Sequence, residues 1–222
     1  MVDVLPEAVL RSISNSYRHG ISRAEQAYIH SQEDEDAVTG ALGQALFVPN
    51  QIVMLDSAMY TWSTVYYKLR GRGKNAEEKI YGADGIFQII LKNVHEKTLA
   101  SKGLLFQAKN RWKGKDRNLA TQAELLARNP HTAIVIDYSS AGYKACSAEI
   151  ANRAVGNRND ILLEDMQSLS SILSEDFLYC RVGLMGIHYD HRTKKLTVPP
   201  YDAVRREYRH EITTTVFRNE IA

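Results

Sequence analysis

The stretch KGLLFQAKNRWKGKD, Lys102 to Asp116, decides how the rest of the chain is read. An apolar run, Leu104 to Phe106, passes directly into Gln107, Ala108 and Lys109, and a cationic segment follows. The apolar run predicts a buried strand. Residues i and i+2 of a strand share a face, so Gln107 and Lys109 point the same way near its end. Burying an amine is costly unless something pairs with it. The lysine therefore marks either the place where a strand meets solvent or half of a chemical site.

Upstream, GADGIFQIIL predicts a strand from Asp84 to Leu91, with Asp84 at its start behind a glycine-bearing loop. The short link to the Lys102 strand suggests a hairpin. SAMYTWSTVYYKLRG is dense in aromatic and β-branched residues and reads as an earlier strand, Met59 to Leu69. Residues 5–30 have a polar, helix-like alternation. In SQEDEDAVTGALGQALF, Ser31 serves as N-cap and Glu33 to Asp36 place acids where the helix dipole favours them. Ala37, Ala41, Leu42, Ala45 and Leu46 then form a helical apolar stripe, stopped by Pro49.

Downstream, RNLATQAELLARNP is an amphipathic helix ended by Pro130, and TAIVIDYS a buried strand. Beyond Ser140, KACSAEIANRAVG and ILLEDMQSLSSILSEDFLY read as helices and CRVGLMGIHYD as a strand. A linker-like break is expected near Val155 to Asp160.

The chain has 222 residues, 44% hydrophobic and 24% charged, with a formal net charge of +2. That is the composition of an ordinary globular protein. It carries no global basic excess, so a nucleic-acid surface would have to come from local clustering. The two cysteines, Cys146 and Cys180, sit in no CxxC or Cys/His pattern, which argues against a disulfide framework or a zinc site. No apolar stretch approaches the ~18 residues a membrane span needs, and the N-terminus does not read as a signal peptide. The expectation is a cytoplasmic protein without a membrane partner.

If the two strands pair, Asp84 faces Gln107 and Lys109. A carboxylate and an amide oxygen are hard ligands suited to Mg²⁺, which needs few protein ligands. The lysine is then free to orient a water or stabilise charge on a phosphate. Glu35, on the acidic helix, is the best candidate for a further carboxylate, and the backbone carbonyl of Ala108 is another oxygen within reach.

The set of Glu35 on a first helix, Asp84 in GADG, and Gln107-Ala108-Lys109 in LLFQAKN resembles the PD-(D/E)XK, or restriction-endonuclease-like, nuclease superfamily. The Q-x-K form is similar to that of Mrr-like endonucleases. Ala83 stands where the family's proline would precede Asp84. The resemblance covers roughly residues 30–138 and implies a central mixed sheet flanked by helices, in the order α-β-β-β-α-β. A C-terminal α/β extension, about 140–222, completes one nuclease-like domain. It implies metal-dependent hydrolysis of phosphodiester bonds, with Mg²⁺ as cofactor and Mn²⁺ able to substitute. Asp84, Gln107, the Ala108 carbonyl and Glu35 would hold the metal, and Lys109 would act on the attacking water. DNA is the expected substrate, and the effector of a bacterial restriction or anti-phage system the expected setting. A partner subunit or a homodimer is also expected. The alternative is a nuclease-like fold that binds nucleic acid or a partner protein without cutting.

Two basic segments flank this set. Arg111, Lys113, Lys115 and Arg117 follow Lys109 directly, and Arg70, Arg72 and Lys74 precede Asp84. Both read as phosphate-gripping patches that supply affinity without sequence preference. The HYDH segment, with His188, Asp190 and His191, has metal-ligand residue types, although such a cluster at a strand end is commonly a turn.

Overall fold

The computed structural model describes residues 1–56, 58–69, 82–129, 131–199 and 201–220. It is an α/β structure: a large mixed sheet with helices packed on its two faces. Two helices come first, α1 (Glu7–Gln26) and α2 (Glu35–Ala45). Then follow β1 (Val48–Leu55), β2 (Ala58–Lys68), β3 (Gly85–Asn93) and β4 (Thr98–Asn110). Next are α3 (Arg117–Leu126), β5 (Ala133–Ser139), β6 (Gly142–Ser147) and α4 (Ala148–Arg153). The short β7 (Gln167–Ser168) leads into α5 (Leu169–Ser171), which runs on as a π-helical segment, Ile172–Phe177. The last strands are β8 (Leu184–Met185), β9 (His188–Asp190), β10 (Lys195–Val198), β11 (Tyr201–Arg205) and β12 (His210–Glu220).

The main sheet runs β1-β2-β12-β3-β4-β5-β6-β7, with β8 attached to β4, and β11-β10-β9 form a small separate sheet. β3 and β4 are an antiparallel hairpin in which Gly85 faces Phe106. β5 runs parallel to β4 in a register that places Gln107 beside Val135 and Lys109 beside Asp137. The parallel step needs a crossover, and α3 supplies it. Alternation along β4 sends Phe106 and Ala108 into the core under α1 and α2, with Ile134, Ile136 and Tyr138 of β5. The opposite face is covered by α3 and α4, through Leu119, Ala123 and Ala151 against Val135, and by the small sheet, through Tyr189 and Leu196 near Ile86.

The strands expected around Met59 to Leu69, Asp84 to Leu91 and Lys102 to Lys109, the α3 helix and the β5 strand are all present, but β1 stands between α2 and the first of them, so the order is not the expected α-β-β-β-α-β. Other expectations are corrected. The α2 cap is Asp34, whose side chain accepts from Asp36 N, rather than Ser31. The helix ends at Ala45, and Pro49 belongs to β1, an edge strand, where a missing N–H costs no ladder bond. KACSAEIANRAVG is only half helix. Gly142–Ser147 pairs with β5 across a tight turn, and the Ser147 hydroxyl then accepts from Ile150 N and starts α4. The supposed break at Val155 to Asp160 is packed. Gly156, at φ 67°, lies so close to α3 that a Cβ there would sit 2.5 Å from Asp116 O.

The largest difference concerns the C-terminus. It was expected as an extension of the core, yet β12 lies inside the sheet, parallel to β3 and antiparallel to β2. No local signal announces this, because its partners are more than 100 residues away in sequence.

Candidate active site

Asp84 is held by its backbone before its side chain is considered. Its N–H donates to Phe106 O (2.8 Å), and its carbonyl accepts from Arg209 N (2.8 Å) and His210 N (3.2 Å). Two glycines make room for this clamp. Gly82 has φ 74°, and a Cβ there would lie 2.4 Å from Gln122 O of α3; a Cβ on Gly85 would lie 2.5 Å from both the Phe106 ring and His210 O. GADG is therefore more than a turn. It lets the chain enter β3 between β12 and β4 with Asp84 at the mouth.

Asp84 is 3% exposed and Gln107 2%. Asp84 Oδ2 accepts from Ala108 N at 2.8 Å and from Gln107 Nε2. Gln107 Nε2 also donates to Ala108 O at 3.1 Å. Two hard oxygens, one from a carboxylate and one from the backbone, thus converge on a single donor. The third oxygen of the group, Gln107 Oε1, is buried and accepts no hydrogen bond. An orphaned buried acceptor is uncommon and asks for a partner. Turning the Gln107 amide over would set Oε1 beside Asp84 Oδ2 and the Ala108 carbonyl, three hard oxygens of the kind that suits a divalent cation. Among the described residues, no group of three His, Cys, Asp or Glu side chains is placed to hold a metal. The set here is instead one carboxylate, one amide and one carbonyl.

Glu35, in the first turn of α2, reaches over the end of β4, where its Oε2 accepts from Asn110 N at 3.1 Å. Burial raises its pKa, while the positive charges of Lys109 and Arg209 oppose that rise. Glu35 and Lys109 are therefore close enough to feel each other's charge. Lys109 itself is 17% exposed in its side chain and pairs with Asp116 at 3.2 Å. Asp116 is also the N-cap of α3, accepting from Leu119 N at 2.9 Å. Burial acts to raise the Asp116 pKa, but the Leu119 N–H and the lysine outweigh it and hold the carboxyl below its usual value. Sequence reasoning missed this partner, although an Asp just before an amphipathic helix is a readable cap.

A second missed feature braces the site from behind. His210, 2% exposed, has its Nε2 3.0 Å from Asp36 Oδ1 and its Nδ1 2.9 Å from the Tyr66 hydroxyl. Since Asp36 can only accept, Nε2 carries the proton and Nδ1 accepts from Tyr66. Asp36 also pairs with Lys68 at 2.5 Å. This chain ties the start of α2, and with it Glu35, to the strand that clamps Asp84.

The basic segments are less uniform than their sequences suggest. Arg111, at φ 55°, donates to Tyr28 Oη (3.1 Å) and to Gln32 Oε1 and lies 3.9 Å from Glu33. It is engaged by the N-terminal part of the chain. Lys113, Lys115 and Arg117 are exposed, while Trp112 just before them is buried, its indole donating to Gly156 O. Arg70, Arg72 and Lys74 lie outside the described residues. No described helix is long and apolar enough to cross a membrane.

Comparison with protein-family models, with curated proteins and with solved structures finds no match for this chain.

Proposed function

We propose that the protein is a metal-dependent nuclease with a restriction-endonuclease-like core built from α2, β2, β3, β4, α3 and β5. The observation that carries the reading is the Asp84–Gln107–Ala108 cluster with its unsatisfied Gln107 Oε1, and Lys109 follows two residues along the same strand. Asp84, Gln107 through its oxygen and the Ala108 carbonyl would hold Mg²⁺ or Mn²⁺, with Glu35 at the periphery. Such a cation acts as a Lewis acid on a phosphate oxygen and lowers the pKa of bound water. Lys109 supplies a fixed positive charge beside the cluster, of the kind that stabilises a phosphate gathering negative charge. Asp116 restrains that lysine in one position. Lys113, Lys115 and Arg117 are exposed on the segment that follows and suit contact with a polyanion. The preferred substrate is DNA, and a restriction or anti-phage role in the cytoplasm of a bacterium is the setting the resemblance suggests.

Two observations favour a second reading, a nuclease-like subunit that binds nucleic acid or a partner without cutting. Gln107 brings no charge to the cluster, and Lys109 is engaged by Asp116. Incubating the protein with supercoiled plasmid, linear duplex and single strands in Mg²⁺, Mn²⁺ or EDTA separates the two. Cation-dependent cleavage supports the nuclease. Binding without cleavage in every cation supports the non-cutting subunit.

A further inference from the structure

The sheet face that carries Asp84 also carries a polar cavity, of about 300 Å³, between β2, β12 and β3 and the segment around β9. The HYDH segment lines it. Its floor is a buried network. Gln88 Nε2 donates to Thr213 Oγ1 (2.9 Å) and Glu211 Oε1 (3.1 Å), and Gln88 Oε1 accepts from Tyr189 N (2.9 Å). Glu211 Oε2 lies 2.9 Å from His191 Nδ1. Both oxygens of this 3%-exposed carboxylate are thus occupied. With Nδ1 bound to Glu211, Nε2 is the ring nitrogen His191 has left for a ligand.

The walls differ from the floor. Lys92 and Arg192 line the cavity, and among the described residues neither forms an ion pair. His188 stands near Lys92. Of the wall acids, Asp190 is turned into its own hairpin, accepting from Arg192 N (2.9 Å) and Thr193 Oγ1 (3.1 Å), and Glu96 is exposed on the β3–β4 turn. The Tyr67 ring, 38% exposed, lies 4.3 Å from the His191 ring. Lys92 Nζ lies 5.9 Å from the Phe217 ring centroid, which leaves its charge uncompensated by any carboxylate among the described residues. Cations without a carboxylate partner beside an exposed aromatic ring suit a phosphate joined to a planar base, since phosphates take charge-assisted bonds and bases stack on aromatic faces. A cavity of this size is at the small-molecule end of the range, where pockets run from roughly 300 Å³ upward.

We propose that this cavity binds a free nucleoside monophosphate, its phosphate against Lys92 and Arg192 and its base on Tyr67. Gln88 stands four positions along β3 from Asp84, about 13 Å at ~3.3 Å per residue, so the site is distinct from the Asp84 cluster and does not depend on nuclease activity.

Calorimetric titration of the full chain in EDTA tests the proposal, using AMP, inorganic phosphate and a short phosphorylated oligonucleotide as probes. AMP should bind saturably. Lys92→Ala should weaken both AMP and phosphate by about tenfold, the loss of one hydrogen bond to a charged group. Tyr67→Ala should weaken AMP alone, and Asp84→Ala should change neither. Absence of saturable AMP binding at millimolar concentration overturns the proposal, as does binding indifferent to Lys92→Ala or abolished by Asp84→Ala. Oligonucleotide binding much tighter than AMP binding overturns the claim of a free nucleotide.

Discussion

Replacing His210 by Gln should remove a specific acid sensitivity of folding. Burial, opposed by the Asp36 charge and assisted by Lys68 and Arg209, lowers the His210 pKa from an ordinary 6.5 to about 4. Near pH 7 the ring is neutral in the folded chain and mostly so in the unfolded one. As pH falls below 6.5 the unfolded chain takes a proton that the folded chain refuses until about pH 4. The unfolded state then binds more protons, so stability falls with pH across that window. At ~1.36 kcal/mol per pKa unit, going from about pH 7 to about pH 5 costs about 2 kcal/mol from this residue. That corresponds to roughly 5 °C in Tm for a chain of this length. The neighbouring Asp36, with a lowered pKa, loses its contribution only below the usual carboxylate value, outside the window. Glu35 and Glu211, with raised pKa values, act in the opposite direction, but they are present in both proteins and cancel in the difference. Urea unfolding of wild type and His210→Gln at several pH values between these limits reads the slopes. The variant will be less stable near neutrality because it loses the Tyr66 bond, so the slope is the informative quantity. Equal slopes in the two proteins would refute the reasoning.

Three further perturbations follow from the same geometry. Gly43→Ala should destabilise by about 1–3 kcal/mol in urea unfolding, because its Cβ would meet the Tyr66 ring at 2.4 Å, which outweighs the ~1 kcal/mol gain in helix propensity. A neutral or stabilised variant would contradict that packing. Asp116→Asn keeps an N-cap for α3 and loses only the Lys109 pair, so its stability should stay within about 1 kcal/mol of wild type. Asp116→Ala should lose a further ~1 kcal/mol, and an alanine variant no worse than the asparagine one would contradict the cap. Gln107→Glu sets a second carboxylate against Asp84 and removes the amide donor. Its Tm in EDTA should fall by several degrees, on the order of 1–3 kcal/mol, and recover in Mn²⁺. A Tm indifferent to Mn²⁺ would argue against a cation site.

The parts of the fold that were legible share a short range. α3 announces itself through Leu119, Ala123 and Leu126 at helical spacing, and β3 and β4 through apolar runs joined by a tight turn. The proximity of Asp84 and Gln107 followed from that hairpin alone. β12 was not legible. Its alternation of Ile212, Thr214 and Val216 toward the α1/α2 core resembles many strands, and nothing local says it will part β2 from β3. With it went the His210–Asp36–Tyr66 brace, which joins residues 66 and 210 and can be seen only in three dimensions. Glu35 is one of four consecutive acids, and its spacing places it on or beside the buried stripe. What the sequence could not show is its bond to Asn110 N, which depends on how far α2 overhangs β4.

The proposed chemistry depends on Asp84 and Lys109 acting together. Single-turnover cleavage of supercoiled plasmid in Mg²⁺ should be measured for wild type, Asp84→Ala, Lys109→Ala and the double variant, each checked for folding. Wild type should cut in a cation-dependent way, and each single variant should lose at least about a hundredfold. The double variant should be no worse than the singles, as expected for groups that work as one unit. Cutting that survives both substitutions would place the chemistry elsewhere in the chain and contradict an Asp84–Lys109 site.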